Sequence, residues 1–238
     1  MNKIYIGNYT VDISEDCPVG VSISGGADSA LLLYIVMANT KHHVHIYTLF
    51  NPEIIEAYES HIDAVVETCS RLTGNTNFTL HKEFMETNEA DTVFRYLGGR
   101  FETDGVGLIY FGLTKFPPKD VYLKFNDSVP NWIAEWRDEQ HIRPCYGMTI
   151  PAENKEHIPF LFRVWEEDKT MTTLISDNRI YVPFVNLNKK DIANMYRTLN
   201  ISEGFKAYRS CENHTHIGSH CGMCWWCGER KWAFGYLE

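Results

Sequence analysis

The sequence has no long hydrophobic run. Its longest uncharged apolar stretch, Ala30 to Ala38, falls well short of the roughly 20 residues that a membrane-spanning helix needs. The opening segment MNKIYIGNYTVDISEDCP lacks the basic start and apolar stretch of a secretory signal, so the expectation is a cytoplasmic protein with no membrane partner. Positive charge is in deficit: 22 Lys and Arg against 31 Asp and Glu leave a net charge of −9. The overall field therefore repels phosphate backbones, and nucleic acid is a poor default partner. No internal repeat, low-complexity tract or recognisable amidotransferase domain is present. Paired cysteines are also lacking: the total of seven is odd, and without a secretory signal a disulfide framework is not expected. Cys17, Cys69 and Cys145 stand alone and read as small buried hydrophobes.

What is present is a chain of 238 residues with 44% apolar content, enough to bury a substantial core. Residues 3–6 and 9–13 alternate as a short hairpin. Residues 19–24 read as a buried strand, 28–38 as a helix apolar almost all round, 43–50 as a strand, 52–72 as an amphipathic helix and 78–84 as a strand. A helical stretch near 91–97 and a strand at 107–113 follow. Strands alternating with helices predict an α/β fold, a Rossmann-like parallel sheet with helices on both faces. Residues 115–180, rich in proline and aromatics, carry helical patterns near 130–139 and 157–175 and read as a lid or a plain cover of the sheet. RIYVPFVNL (179–187) reads as a final strand and KKDIANMYRTLN as an amphipathic helix. The expected organisation is an N-terminal extension (1–18), a core of alternating strands and helices (19–115), an aromatic and proline-rich insertion (116–180) and a final unit (181–238).

Between the first core strand and its helix lies Ser24-Gly25-Gly26-Ala27-Asp28-Ser29. Backbone N–H groups in a glycine-containing turn form an anion-binding nest, and the helix N-terminus adds positive potential. Gly25 and Gly26 permit close approach of phosphate oxygens, and Ser24 and Ser29 offer hydroxyls. Asp28 would repel phosphate unless it caps the helix or holds Mg²⁺. The tail presents Cys211, Cys221, Cys224 and Cys227. Four thiolates suit a closed tetrahedral Zn²⁺ site, with an Fe–S cluster as the competing assignment; His214, His216 and His220 are alternative ligands that read more simply as loop residues.

The loop matches the Ser-Gly-Gly-x-Asp-Ser signature of the PP-loop ATP pyrophosphatases at every specified position. The cysteine tail, followed by Arg230 and Ala233-Phe234, with Pro183 ahead of Lys189-Lys190-Asp191-Ile192, resembles the 7-cyano-7-deazaguanine synthases, commonly called QueC. The resemblance covers the N-terminal third and the final quarter. It implies ATP binding by residues 24–29, with Phe50 and Asn51 placed where the family reads adenine. It also implies Lys189 acting on the departing pyrophosphate, Mg²⁺ and Zn²⁺ as cofactors, and a homodimer. The substrates it implies are a small-molecule carboxylate, 7-carboxy-7-deazaguanine or a relative, and ammonia. Lys189 can equally be read as a surface lysine of a first helical turn.

The middle departs from the family. YFGLTKFPPKDVYLKF stands where the synthases carry an Asp-Tyr-Ser-Gly-Tyr-Pro-Asp-Cys-Arg substrate segment, and Tyr208-Arg209-Ser210 stands where they tend to have Thr-Trp-Ser. Both departures touch the acceptor rather than ATP. Other expectations follow from them: a paralogue acting on another acid, one that stops at the amide or modifies a macromolecule, or a nucleotide-binding sensor without chemistry. A zinc ribbon stacking bases on Trp225, Trp226 and Trp232 is opposed by the acidic charge, and those tryptophans read better as packing the tail against the main domain or a second subunit. Arg100, Arg143 and Arg163 are candidate anchors for the substrate carboxylate.

Overall fold

The computed structural model describes residues 1–50, 55–84, 99–100, 102–118, 121, 179–202, 208, 220, 222 and 225–236. The chain opens with the antiparallel hairpin β1 (Asn2–Ile6) and β2 (Tyr9–Ile13). Its two-residue turn places Gly7 at φ +60°, the positive dihedral that the first position of a tight hairpin turn demands. The main sheet then begins at β3 (Val19–Ser22). It continues through helix α1 (Ala27–Asn39), β4 (Val44–Phe50), α2 (Ile55–Thr73), β5 (Phe78–Phe84), β6 (Leu108–Phe111) and β7 (Ile180–Tyr181). Helices α3 (Lys189–Thr198) and α4 (Trp225–Phe234) complete the described chain.

All pairings in the five-stranded sheet are parallel, in the order β5-β4-β3-β6-β7. The chain builds outward from β3 to β5, then crosses back to β6. Strand order therefore reverses between β3 and β6, and the crevice at their carboxyl ends is where such sheets take ligands.

Val19, Val21, Val44 and Ile46 point into one core with the apolar residues of α1 and with Ile62, Val65, Val66 and Cys69 of α2. Helix α1 buries residues around its whole circumference, Leu31, Leu32, Leu33, Ile35 and Val36 among them, which explains its lack of a polar face. Each such leucine contributes about 1.5–3 kcal/mol by leaving water. Helix α2 keeps a polar side and stops at Gly74, whose φ of +69° ends the turn. No described helix is long and apolar enough to cross a membrane.

The expected hairpin, the first four core strands and three helices are present, with ends shifted by a few residues. The expected strand over 179–187 contracts to two residues, because Pro183 has no N–H for a ladder. The chain turns there instead, through Val185 N–H to Val182 O (3.2 Å) and Leu187 N–H to Phe184 O (2.8 Å). Helix α4 was not anticipated within the cysteine tail. Cys69 is buried as expected, whereas Cys17 is half-buried. The helices expected near 91–97, 130–139 and 157–175, and Cys145, lie outside the described residues.

Tyr110 on β6 fastens the hairpin to the sheet. Its hydroxyl accepts from Ser14 N–H (2.8 Å) and donates to Asp12 O (3.1 Å). Tyr110→Phe leaves that buried N–H unpaired and is expected to lower stability by about 1–3 kcal/mol, read by chemical denaturation; a change under about 0.5 kcal/mol would show that the hairpin is anchored by apolar packing alone.

Candidate functional site

β3 ends where Ile23 N–H donates to Tyr47 O (2.9 Å), and the chain turns at Ser24. Gly25 has φ +72°, and a Cβ built there would lie 2.6 Å from His61 Cδ2. Both the backbone conformation and the available space therefore demand glycine. His61, from α2, donates through Nε2 to Gly25 O (2.9 Å). Ser29 Oγ accepts from Ser24 N–H (3.2 Å), donates to Gly26 O (3.2 Å) and lies 3.3 Å from Ser24 Oγ. The loop is thus closed on itself through one serine.

Gly26 is the N-cap of α1, with no side-chain hydrogen bond capping it. The first amide groups of any helix have no partner inside the helix, so this end is available to an anion. The capping role considered for Asp28 is not realised. Asp28 is the second residue of α1, and its side chain runs sideways instead. Its Oδ2 accepts from Thr114 Oγ1 (2.9 Å) and Lys189 Nζ (2.5 Å). Among the described residues, Oδ1 is buried with no hydrogen-bond partner.

Lys189 is no surface lysine: it is 7% exposed, and Asp28 is equally buried. Its position follows from local chemistry. Asn188 caps α3, accepting from Lys190 N–H (2.8 Å) and Asp191 N–H (3.3 Å), while Asp191 accepts from Asn188 N–H (2.9 Å). This capping box fixes the helix start, so Lys189, the first helical residue, is delivered to a carboxylate 161 positions away. Tyr9 of the hairpin donates to the other oxygen of Asp191 (2.7 Å) and steadies the same turn.

Other residues complete the cradle without having stood out in the sequence. A Cβ on Gly112, just beyond β6, would lie 2.7 Å from Ser29 N and 2.8 Å from Asp28 C, so two backbones meet there with no room for a side chain. Tyr196 of α3, fully buried, donates to Ala27 O (2.8 Å), and burial holds its phenol pKa well above the ordinary value. Tyr196 stacks on Tyr208 at 5.3 Å. The Arg230 guanidinium of α4 lies 4.2 Å from the centre of the Tyr208 ring and donates to Tyr208 O (3.0 Å).

Phe50 is the last residue of β4, at the same carboxyl edge of the sheet as the loop; Asn51 lies outside the described residues. Arg100 is engaged by Glu83 (2.8 Å), and Arg143 and Arg163 lie outside the described residues. Of the four tail cysteines only Cys227 is described. It is buried, with His220 Nδ1 3.8 Å from its Sγ, so His220 sits beside a thiol rather than out in solvent. Trp232 packs against the core, with Lys190 Nζ 4.6 Å from its ring centre.

A parallel sheet whose strand β3 runs through a Ser-Gly-Gly-Ala-Asp-Ser turn into a buried helix is similar to the arrangement of the PP-loop ATP pyrophosphatases. The C-terminal part of the chain is QueC-like: residues 162–238 match the family model described as queuosine biosynthesis protein QueC. No curated protein matches the sequence. Among solved structures, the U34-tRNA thiolase NcsA from Methanococcus maripaludis with its [4Fe-4S] cluster aligns at 12% identity. That alignment covers 95% of this chain and 74% of that one, with a TM-score of 0.42. NMN synthetase from Francisella tularensis aligns at 10% identity, covering 92% and 78%, with a TM-score of 0.35.

Lys189→Met strands the buried Asp28 carboxylate, and a cost of about 3–5 kcal/mol is expected. Adding Asp28→Asn to that variant should recover more than half of the loss in denaturation experiments. Additive losses would mean that the two side chains are not energetically coupled.

Proposed function

We propose that the chain is an ATP-dependent ligase releasing AMP and pyrophosphate, which adenylates a carboxylate and amidates it, in the manner of QueC acting on 7-carboxy-7-deazaguanine. The observation that carries this reading is the joining of the loop to Lys189 through buried Asp28. The amides at the start of α1, with Ser24 and Ser29, would hold the β and γ phosphates. Lys189, held at the same turn by Asp28, would offset charge that develops on departing pyrophosphate. Phe50 and Asn51, at the edge of β4, would meet the adenine.

The unpartnered Asp28 Oδ1, buried at the loop, fits an oxygen ligand for Mg²⁺. When bound, Mg²⁺ supplies neutralisation of triphosphate charge. The substrate carboxylate attacks the α phosphorus and pyrophosphate leaves; ammonia then displaces AMP to give an amide. A second ATP can activate the amide oxygen, which departs with AMP as the nitrile forms. The protein's part is positioning and electrostatics.

The tail thiols would form a structural zinc site. Cys227 Sγ and His220 Nδ1 are 3.8 Å apart, close to the separation of two ligand atoms on one tetrahedral zinc, so His220 joins Cys211, Cys221 and Cys224 as a candidate neighbour of the metal. Cys227→Ser is expected to lower zinc retained after dialysis, measured by elemental analysis. Unchanged content would remove Cys227 from the ligand set.

The direct test is a mass spectrum after incubation with Mg-ATP, ammonium and 7-carboxy-7-deazaguanine. Amide or nitrile together with AMP is expected, reduced at least a hundredfold in Ser24→Ala and Asp28→Ala. A second reading is favoured by the replaced substrate segment YFGLTKFPP: a nucleotide-binding sensor. Tight ATP binding without AMP formation across a panel of acids would establish that reading and overturn the ligase.

A further inference from the structure

Parallel sheets covered on both faces are built from apolar residues, yet β4 and β5 carry a polar cluster on one face. Strand alternation sends Val44 and Ile46 into the core shared with α1 and α2. His45 and Tyr47 therefore face the opposite side, where Tyr47 meets Gly20, beside Val106 and Ile109. His81 of β5 stacks on Tyr47 with ring centres 4.9 Å apart. Asp104, in the segment leading to β6, closes the group.

Three donor atoms converge there. His45 Nδ1 and His81 Nε2 are 3.0 Å apart, and Asp104 Oδ2 lies 3.9 Å from the first and 3.7 Å from the second. All three side chains are only 11–12% exposed. Tyr47 donates to Asp104 Oδ2 (2.9 Å) and aims the carboxylate. Neighbouring His43 is spent elsewhere, with one ring nitrogen against Asn77 Oδ1 (2.8 Å) and the other against Thr79 Oγ1 (2.9 Å). Desolvation lowers the pKa of both His45 and His81, against the opposing pull of Asp104. At 3.0 Å the two facing nitrogens have room for at most one proton between them. An imidazole lone pair and a carboxylate oxygen thus meet in a nearly dry pocket, which is an arrangement that wants a cation.

We propose that His45, His81 and Asp104 bind one divalent first-row transition ion, of which Zn²⁺ is the reference case, through His45 Nδ1, His81 Nε2 and Asp104 Oδ2. Bonds of about 2.0–2.2 Å to nitrogen and oxygen place tetrahedral ligand atoms roughly 3.3–3.5 Å apart. The observed separations bracket that range, so shifts of a few tenths of an ångström suffice. Two imidazoles and one carboxylate select zinc-like ions over Mg²⁺ or Ca²⁺, which prefer all-oxygen shells. Tyr47 is the partner that orients the carboxylate. The bound ion pins the 102–107 segment to β4 and β5, and that segment feeds β6, whose far end supplies Gly112 and Thr114 to the loop. This site is separate from the tail cysteines and does not depend on the ligase reading.

The test uses the full-length chain, stripped with chelator and titrated with Co²⁺ or Zn²⁺. Comparing wild type, His45→Gln/His81→Gln and Cys224→Ser/Cys227→Ser separates the two classes of site. The histidine variant should lose one metal equivalent while keeping thiolate-to-cobalt charge-transfer absorption, and the cysteine variant should keep a cobalt spectrum free of that absorption. A histidine variant that binds as much metal as wild type overturns the proposal. Should the double variant fail to fold, Asp104→Asn, which preserves the acceptor for Tyr47, serves instead. Its affinity for Zn²⁺ at this site, by calorimetry, should fall at least about tenfold; an unchanged affinity overturns the assignment.

Discussion

The contact between Lys189 and Asp28 sets the terms for everything around it. Two opposite charges taken out of water are tolerable only when each is held by the other and by further hydrogen bonds. The pair obtains this from three separate parts of the chain: the start of α1, Thr114 in the segment after β6 and the start of α3. A loop whose acidic residue is satisfied only when the last third of the chain has docked is a loop whose shape reports completion of the fold. The Asn188–Asp191 capping box then has a second consequence beyond helix stability, because the helix start it fixes is what aims Lys189.

A second line of contacts ties the tail to the same place. Arg230 of α4 covers Tyr208, Tyr208 stacks on Tyr196, and Tyr196 donates to the carbonyl of Ala27 at the first turn of α1. Each link is buried, so displacing α4 would remove the guanidinium that covers Tyr208 and expose the ring that stacks on Tyr196. Whatever fixes α4 in place would thus stabilise the turn at residues 24–29 without touching it.

What could be read in the sequence was whatever is local. Gly25, Gly26, Ser24 and Ser29 declare a nest because neighbouring residues make it, and the buried strands and α1 declare themselves by apolar runs bounded by turns. Lys189 was visible only through family resemblance, since a lysine at the first turn of an amphipathic helix looks like a surface residue until the capping box shows where it points. Gly112, Thr114, His61 and Tyr196 carried no signal, because their roles exist only across space: a missing Cβ, a hydroxyl, a ring nitrogen and a phenol, each meeting the loop from another element. For Asp28 the sequence left capping and metal binding open. Aspartate beside a helix start favours capping, but Gly26 had taken the cap and a buried cation drew the carboxylate aside. The short β7 has the opposite origin, a good apolar run cut by a proline that cannot donate.

The electrostatics of the loop also bear on what it can hold. Asp28 and Lys189 cancel as a pair, so their net field at the loop is small, and the partial positive charge of the α1 terminus, about half a unit, is what remains. A triphosphate carries several negative charges, more than a helix terminus and a shared lysine can offset. On the ligase reading Asp28 Oδ1, buried and unpartnered among the described residues, would bring a cation to that balance while Oδ2 keeps Lys189 in place. On the ligase reading the two oxygens of one carboxylate would divide the work, Oδ2 holding Lys189 and Thr114 and Oδ1 meeting a cation, which would account for an acidic residue at an anion-binding turn.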